Sequence, residues 1–472
     1  MEVTSMNGRT RRGARHRNLL GMLLLFWVLP SVQAKDFNIL DYGAVADDQS
    51  LDTPAIQKAI LDCHQSGGGR VIVPAGTFLS ETLRLASKVD LHIAKKGVLK
   101  GSGDETTYGQ FVSGTTDARL VRRWNRGLII GESLTDIAIS GEGSIDGNKV
   151  RDPDGEEGMR GPHTVLLAGC DRVRLTDVTI RDSGNYSFLM YSCRSVVVEK
   201  AVFLGGWDGV HFRGKPDAWN KDVTIRECRF ETGDDSVAGG YLEDSLMENC
   251  TINSSCNGVR LIGPARRWSI RKCVFYGPGK SPHVTQNRHN MLAGILLQPS
   301  AWGEQPGPVE DIVISDIRMS EVACAFQIVT KHKSNPIRRI RISRLKATGI
   351  YESASSVEAW DEAGLEKVRL ESIHIASDAK VLSRIATSAH KPGNGARPLP
   401  AWGIYFRGLK DLVMEDSEFE LPNLTGIKAP TIIAETLGSL TMRRTSYPIH
   451  KSSDYPSLRH HGVESLNVEP VK

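Results

Sequence analysis

The sequence predicts an all-β fold: a single-stranded parallel β-helix, or solenoid, closed at its N-terminal end by one capping helix. Three observations lead there. First, short segments that alternate apolar and polar residues recur along the chain, as half-buried strands do. They are "VRLTDVTI" from Val173, "VVVEKAVF" from Val196, "VTIRECRF" from Val223, "SLMENCTI" from Ser245, "WSIRKCVF" from Trp268, "IVISDIRM" from Ile312, "IRISRLKA" from Ile340, "VRLESIHI" from Val368, "LVMEDSEF" from Leu412 and "LTMRRTSY" from Leu440. Successive starts lie 22 to 28 residues apart, or 44, which reads as two turns of the shorter period. Second, 46 glycines in 472 residues with only 6% aromatic content suit many short strands joined by turns. Third, no helical period between the segments is long enough for a crossover helix, and the leucine–asparagine signature of leucine-rich repeats is absent. One strand set per turn without helices is a solenoid, whose strands stack about 4.8 Å apart.

Each element follows in order. Residues 1–34 read as a secretory signal: Arg9, Arg11, Arg12, Arg15 and Arg17, then the apolar run "LLGMLLLFWVL", then cleavage after Ala34. The run is short for a membrane span, so a retained anchor is the weaker alternative. The expectation is a secreted or periplasmic protein with no membrane association after cleavage. Residues 35–447 form the β-helix domain, with 35–80 as its N-terminal cap. Within the cap, "SLDTPAIQKAILDCHQSGGG" has Asp52 or Thr53 as N-cap, Pro54 in the first turn and glycines after the end. Ile56, Ala59, Ile60 and Cys63 form one apolar face of this 53–65 helix. "HKPGNGARPLPAW", from His390 to Trp402, reads as a loop insertion, and 448–472 as a polar, loose tail.

Eight cysteines in an exported chain would ordinarily suggest disulfides. Here Cys228, Cys250 and Cys273 occupy one slot in three segments, and Cys170 and Cys193 share another. Identical residues stacked inside a solenoid read as buried free thiols. Stacked neighbours also lie near bridging distance, so a disulfide stays open at this point.

The net charge of +4 is small, and both signs are interleaved beyond residue 35. That excludes a nucleic-acid footprint, which would be a clustered basic face. No Cys/His metal spacing is present, so no metal or other cofactor is expected.

One short phrase returns three times: "GGWDGVHFRG", "FETGDDSVAGG" and "SSCNGVRLIG". Stacked in register, Asp208, Asp235 and Asn257 form one column. Val210, Val237 and Val259 form a second that faces inward. His211, Ala238 and Arg260 form a third, on the solvent side. Neighbouring coils place the acids about 5 Å apart. Two carboxylates there repel by roughly 3 kcal/mol, or roughly two pKa units, at an effective dielectric near 20. Such a cluster raises one pKa and leaves another acid ionised, which equips one site with both acid and base. A lone aspartate beside glycine is commonly a turn residue. Three acids converging across two coils, Asp208, Asp234 and Asp235, read as catalytic, with a calcium site as a further possibility. Strict alternation would turn Asp234 and Asp235 to opposite faces, so the chain must bend after Gly233.

The stretch "FNILDYGAVADDQSLDTPAIQKAI…GGGRVIVPAGTF" resembles the opening of right-handed parallel β-helix enzymes of the pectin-lyase-like superfamily. "GDD" followed by an alternating strand resembles the polygalacturonase-type glycoside hydrolases, family 28. The resemblance runs from about Phe37 into the 440s and implies a right-handed coil. It departs at Gly206-Trp207-Asp208, where that family usually has Asn-Thr-Asp, and at Cys256-Asn257-Gly258, where it usually has Gly-His-Gly. Its Arg-Ile-Lys element has no counterpart; "MLAGILLQP", from Met291, lies in that region.

By resemblance, Asp234 is the general acid, while Asp208 and Asp235 hold and activate the attacking water. Arg260, His211 and Asn257 would bind substrate beside them. Trp207 would stack on a sugar ring. Arg213 and His289 complete the substrate-binding set, the latter in the polar insertion "HVTQNRHNML" with His283 and Arg288. The loop "RDPDGEEG", from Arg151, reads as solvated. The implied function is a secreted hydrolase of an acidic polysaccharide, acting as a monomer. Two rivals stand beside it. One is a polysaccharide lyase using Ca2+ and Arg260 or Arg213 as base. The other is a non-catalytic carbohydrate-binding rod.

Overall fold

The computed structural model describes residues 35–111, 125–422, 427–449 and 456–469. The expected signal segment, 1–34, lies outside these. The described chain from Lys35 onward is a right-handed parallel β-helix. Each coil contributes strands to parallel rows, and every row pairs one coil with the next. The row that carries the site runs through His163–Ala168, Phe188–Tyr191, Val210–Arg213, Val237–Gly239, Asn257–Leu261, Ala293–Leu297, Phe326–Thr330, Ser355–Ala359 and Ile404–Arg407.

All ten alternating segments stack on one another in the predicted register. Val173 pairs with Val196, Val196 with Val223, Trp268 with Ile312, Ile312 with Ile340, Ile340 with Val368, Val368 with Leu412 and Leu412 with Leu440. Thr224 opposite Leu246, then Ser245 opposite Trp268, carries the ladder through the remaining segment. One expectation is corrected by this register. The two 44-residue spacings are not two turns, because Trp268 pairs directly with Ile312 and Val368 directly with Leu412. Each is a single coil lengthened by insertion. Residues 277–292 separate Val274–Tyr276 from Ala293–Leu297, and residues 378–403 separate Leu365–Ser377 from Ile404–Arg407.

Alternation explains the core. Val210, Val237, Val259 and Ile295 succeed each other in one inward column and are fully buried. Phe203 and Phe230 stack at 4.8 Å with Ile252 and Phe275 next in line. The corners have their own logic. Lys200, Glu227, Asn249 and Lys272 all adopt left-handed backbone, φ between 53° and 56°. That conformation turns the chain sharply within one residue, and the next residue, Ala201, Cys228, Cys250 or Cys273, then points inside.

All eight cysteines are free, and all but Cys256 are buried. The neighbouring thiols, and after them burial, push the Cys250 and Cys273 thiols well above their ordinary range, which keeps them unreactive. Thiol titration of denatured, unreduced protein should therefore return eight thiols per chain. A count of zero would overturn the ladder of free thiols.

The capping helix spans Thr53–Gln65 and buries Ile56, Ala59, Ile60 and Cys63, the predicted face. Asp52 is the N-cap residue, but its carboxylate accepts from Val45 N (2.8 Å) and Leu79 N (3.2 Å) instead of capping the helix. It thus ties the helix start to the first coil. Stacking begins inside the expected cap, since Asp36–Asn38 already pairs with Gly69–Val73. The C-terminal expectation is corrected more strongly. Leu458–Val468 pairs in parallel with Ile432–Arg443, so the solenoid continues past residue 447 where a loose tail was expected. Exposed polar residues there masked the alternation: only Leu458, Val463, Leu466 and Val468 interrupt them.

Candidate active site

Asp208 and Asp235 precede equivalent strands of adjacent coils, as their column predicts. Val210 pairs with Val237, and Gly209 N donates to Asp235 O at 3.0 Å. Asp234 joins them because the chain bends between Arg229–Thr232 and Val237–Gly239. Its backbone carbonyl accepts from Thr232 Oγ1 (2.9 Å) and Ser254 Oγ (2.7 Å), which fixes the bend. Gly233 is required at that corner. A Cβ there would lie 2.4 Å from Gly206 O and 2.8 Å from Pro282 O. Carboxylate oxygens of Asp208, Asp234 and Asp235 all come within 4.8 Å of one another.

Each acid has one oxygen committed. Asp208 Oδ2 lies 2.6 Å from His211 Nδ1. Asp235 Oδ1 accepts from Asn257 N (2.9 Å) and Nδ2 (2.8 Å). Asp234 Oδ2 meets Arg160 Nη2 at 3.3 Å, and its Oδ1 lies 3.8 Å from His283 Nε2. Asn257, expected to present itself to substrate, instead holds Asp235 in place.

Burial sets the protonation. It raises the Asp208 pKa well above the ordinary value, and repulsion from Asp234 and Asp235 adds to it against the pull of Arg160 and Arg213. Burial, then Asp234, lifts Asp235 to about 6, with Arg260 and Asn257 opposing. His211 is pushed well below its usual value by burial and by the nearby Arg213, Arg160 and His163. Both neutral forms are thus favoured in the Asp208–His211 contact, which is a hydrogen bond between uncharged partners rather than an ion pair.

The third column is in register, but not in solvent as expected. His211 is 2% exposed and Arg260 1%. His211 lies flat against Tyr186, ring centroids 3.9 Å apart, with His163 beyond. Arg260 is covered by the residue 390–397 insertion, where its Nη2 donates to Asn394 O, and by Trp302, 4.8 Å away. Trp207, expected to stack on sugar, is 3% exposed because the Arg160 guanidinium lies 3.6 Å over its ring. Arg213 Nη2 donates to Tyr186 Oη at 3.1 Å. His289 is exposed, and its Nδ1 meets Gly279 O at 2.7 Å, so its ring serves the loop rather than the acids.

Two loops deliver further residues to the acids. Arg160 follows the "RDPDGEEG" loop, which is largely exposed as expected: of its residues only Asp152 is buried, against Arg126, while the exposed Glu156 and Glu157 both reach Arg160. His283 comes from the 277–292 insertion. Its Nδ1 accepts from Gln286 N (3.3 Å) and Thr285 N (3.4 Å), which leaves the proton on Nε2, facing Asp234. Tyr186 lies between His163 and His211. No motif marks Arg160 or Tyr186, whereas His283 lies in the polar insertion "HVTQNRHNML" that the sequence sets apart.

A family model described as a right handed beta helix region matches residues 163–302, the stretch that holds the acids. Among solved structures, a family 28 exopolygalacturonase of Yersinia enterocolitica is similar with a TM-score of 0.54 at 14% identity, covering 92% of this chain and 78% of that one. The chain has the right-handed parallel β-helix fold. The same fold serves PfbA, a surface adhesin of Streptococcus pneumoniae, with a TM-score of 0.53 at 16% identity, covering 92% of this chain and 93% of the adhesin. In sequence, the chain is 26% identical over 275 residues to an exo-poly-alpha-D-galacturonosidase of Dickeya chrysanthemi, 47% of this chain and 44% of that enzyme. It is 27% identical over 256 residues to a mannuronan C5-epimerase of Azotobacter vinelandii, 53% of this chain and 12% of the epimerase. The match spans less than half the length of the first of these relatives.

Proposed function

We propose that the protein hydrolyses glycosidic bonds in an acidic polysaccharide, outside the cytoplasm. The observation that carries this reading is the trio of carboxylates within 4.8 Å, two of them with raised proton affinity. Similarity to galacturonosidases supports the substrate class. Arg260, buried one coil past the acids, supports a negatively charged sugar.

The chemistry follows from the geometry. Asp208 is tied to His211, so its proton is not free to travel. The mobile proton is the one Asp235 holds, and Asp234 lies within 4.8 Å of it. Asp234 is the outermost, its side chain 13% exposed. A bound sugar meets Asp234 first, so the proton passes from Asp235 through Asp234 to the leaving oxygen. Asp235, now ionised, takes a proton from the attacking water, which Asp208 helps to position. No cofactor is required.

The proton leaves as pH rises through about 6, the Asp235 value. We expect kcat/KM to fall above that pH, and to fall again in strong acid when no ionised carboxylate is left to take the water's proton. A flat profile between about pH 5 and 8 would contradict the shared-proton mechanism.

The acid trio would also suit a hard cation, the arrangement the lyase reading requires. Against it, Arg213 and Arg260 are both engaged as donors, to Tyr186 and Asn394. One experiment separates the readings. Purified protein is tested against a panel of polysaccharides, with and without calcium, reading reducing ends and ultraviolet absorbance together. New reducing ends without absorbance support hydrolysis; absorbance marks a lyase, and glycan binding with neither marks a binding rod.

A further inference from the structure

We propose that Trp302 and Asn394 form a surface platform on which a sugar ring of an acidic polysaccharide stacks, two coils beyond the acids. This rests on the substrate class proposed above and not on the hydrolytic step. The row that carries the acids places the platform. Val237–Gly239, which follows Asp235, pairs with Asn257–Leu261, and that strand pairs with Ala293–Leu297. Trp302 sits in the turn just after Leu297. Two coils amount to about 10 Å of rise. An oligosaccharide spans that distance and a single sugar does not, so the platform grips the polymer away from the bond that is cut.

Trp302 is 60% exposed, the one tryptophan among the described residues that lies mostly in solvent. Trp207 shows the opposite arrangement, buried with the Arg160 guanidinium on its ring. The Trp302 ring is nonetheless held still. The Arg260 guanidinium lies 4.8 Å from its centre. Its Nε1 donates to Asn394 Oδ1 at 3.2 Å, and Asn394 Nδ2 donates to Ala301 O. Asn394 O accepts in turn from Arg260 Nη2. Ring, amide and guanidinium thus close one set of contacts. A fixed ring loses little freedom when a ligand settles on it. Asn394 is exposed, and its amide keeps one N–H and one lone pair for a hydroxyl. An open indole face with an amide beside it suits a pyranose, whose C–H groups stack while its hydroxyls bond.

The charge around the platform selects the sugar. Arg260 is buried beside the ring, and its Nε and Nη1 make no hydrogen bond. Lys331, also buried, donates to Gly393 O at 2.9 Å, a carbonyl and not a carboxylate. Burial, then the charges of Lys391 and Arg260, hold the Lys331 ammonium below its usual range, so the three cations lie close together. Asp361 balances Lys391, and Glu304 is the one acid on the Trp302 turn. The balance is positive, which favours a sugar that carries a carboxylate.

The experiment reads binding without turnover. Asp234→Asn protein is run in native gels that contain polygalacturonate, alginate or a neutral β-glucan. At least one acidic gel should retard it and the neutral gel should not. Adding Trp302→Ala should remove most of that retardation, and Trp302→Phe should restore part of it. In the otherwise wild-type chain, Trp302→Ala should raise KM for the same polymer about 3- to 10-fold with kcat unchanged, the usual worth of one stacked ring. Its melting curve should match wild type, because the ring is mostly solvated. Equal retardation with and without the ring, retardation in none of the gels, equal retardation by the neutral glucan, or loss of the fold in Trp302→Ala would each overturn the platform. Trp302→Phe no better than Trp302→Ala would show that the bond to Asn394 matters and not stacking, which overturns it too. A wild type that releases no reducing ends from either acidic polymer would overturn hydrolysis on these substrates, while the gels still decide the platform.

Discussion

Asp234→Asn should lower kcat by about 10²–10⁴-fold with KM nearly unchanged, the usual worth of a general acid. The substitution removes a titratable proton and little else. The backbone carbonyl of residue 234, which Thr232 and Ser254 hold, is untouched. An amide oxygen can still accept from Arg160, whose guanidinium also rests on Trp207. The bend after Gly233 thus stays formed, and loss of rate reports on chemistry rather than folding. Asp208→Asn should also impair the reaction, because the hydrogen bond to His211 would pass from a carboxyl to an amide. If both variants keep near-normal turnover on the true substrate, the site assignment is wrong. If Asp235→Asn abolishes turnover while Asp234→Asn keeps it, Asp235 delivers the proton directly and the transfer to Asp234 does not occur.

How much of this was legible follows from where each residue sits. The coil register was readable because inward positions repeat with the strand period: Val210, Val237 and Val259 sit on one line in sequence and in space. The three acids were readable for the same reason, being anchored to that register. What the sequence hid lies in the insertions. An insertion has no period, so nothing in "RDPDGEEGMR" says that Arg160 turns back to meet Asp234, 74 residues away. The doubled spacings read as extra turns in sequence; the register shows instead that each is one coil holding an inserted segment, residues 277–292 with His283 and residues 378–403. Burial of His211, Arg260 and Trp207 failed for a related reason. Alternation says which side of a strand a residue faces, not what another part of the chain lays over it. Tyr186, Trp302 and residues 390–397 are those covers.

Asp235→Asn should stabilise the fold above about pH 6 while disabling the enzyme. Asp235 binds its proton more tightly when folded, with a pKa of about 6 against an ordinary 3.8. Below the ordinary value the group is protonated in both states and costs nothing. Between the two values the unfolded chain ionises first, so stability falls as pH rises. Above about 6 the folded state too carries the buried charge, and the full penalty, roughly 3 kcal/mol, is in place. An asparagine carries no such charge. Its oxygen still accepts from Asn257 N and Nδ2, and the repulsion that Asp234 exerts on a charged Asp235 is removed. The variant should therefore resist denaturation better than wild type at pH 8, by up to roughly 3 kcal/mol, and match it near pH 4. Activity should fall with it, because the pair loses both its mobile proton and its base. Paired melts at the two pH values, read beside turnover, decide the point. A variant less stable than wild type at pH 8 would mean that the trio is held together by Asp235 rather than strained by it. An active site that keeps three acids together against their own repulsion is expected to relax when one is neutralised.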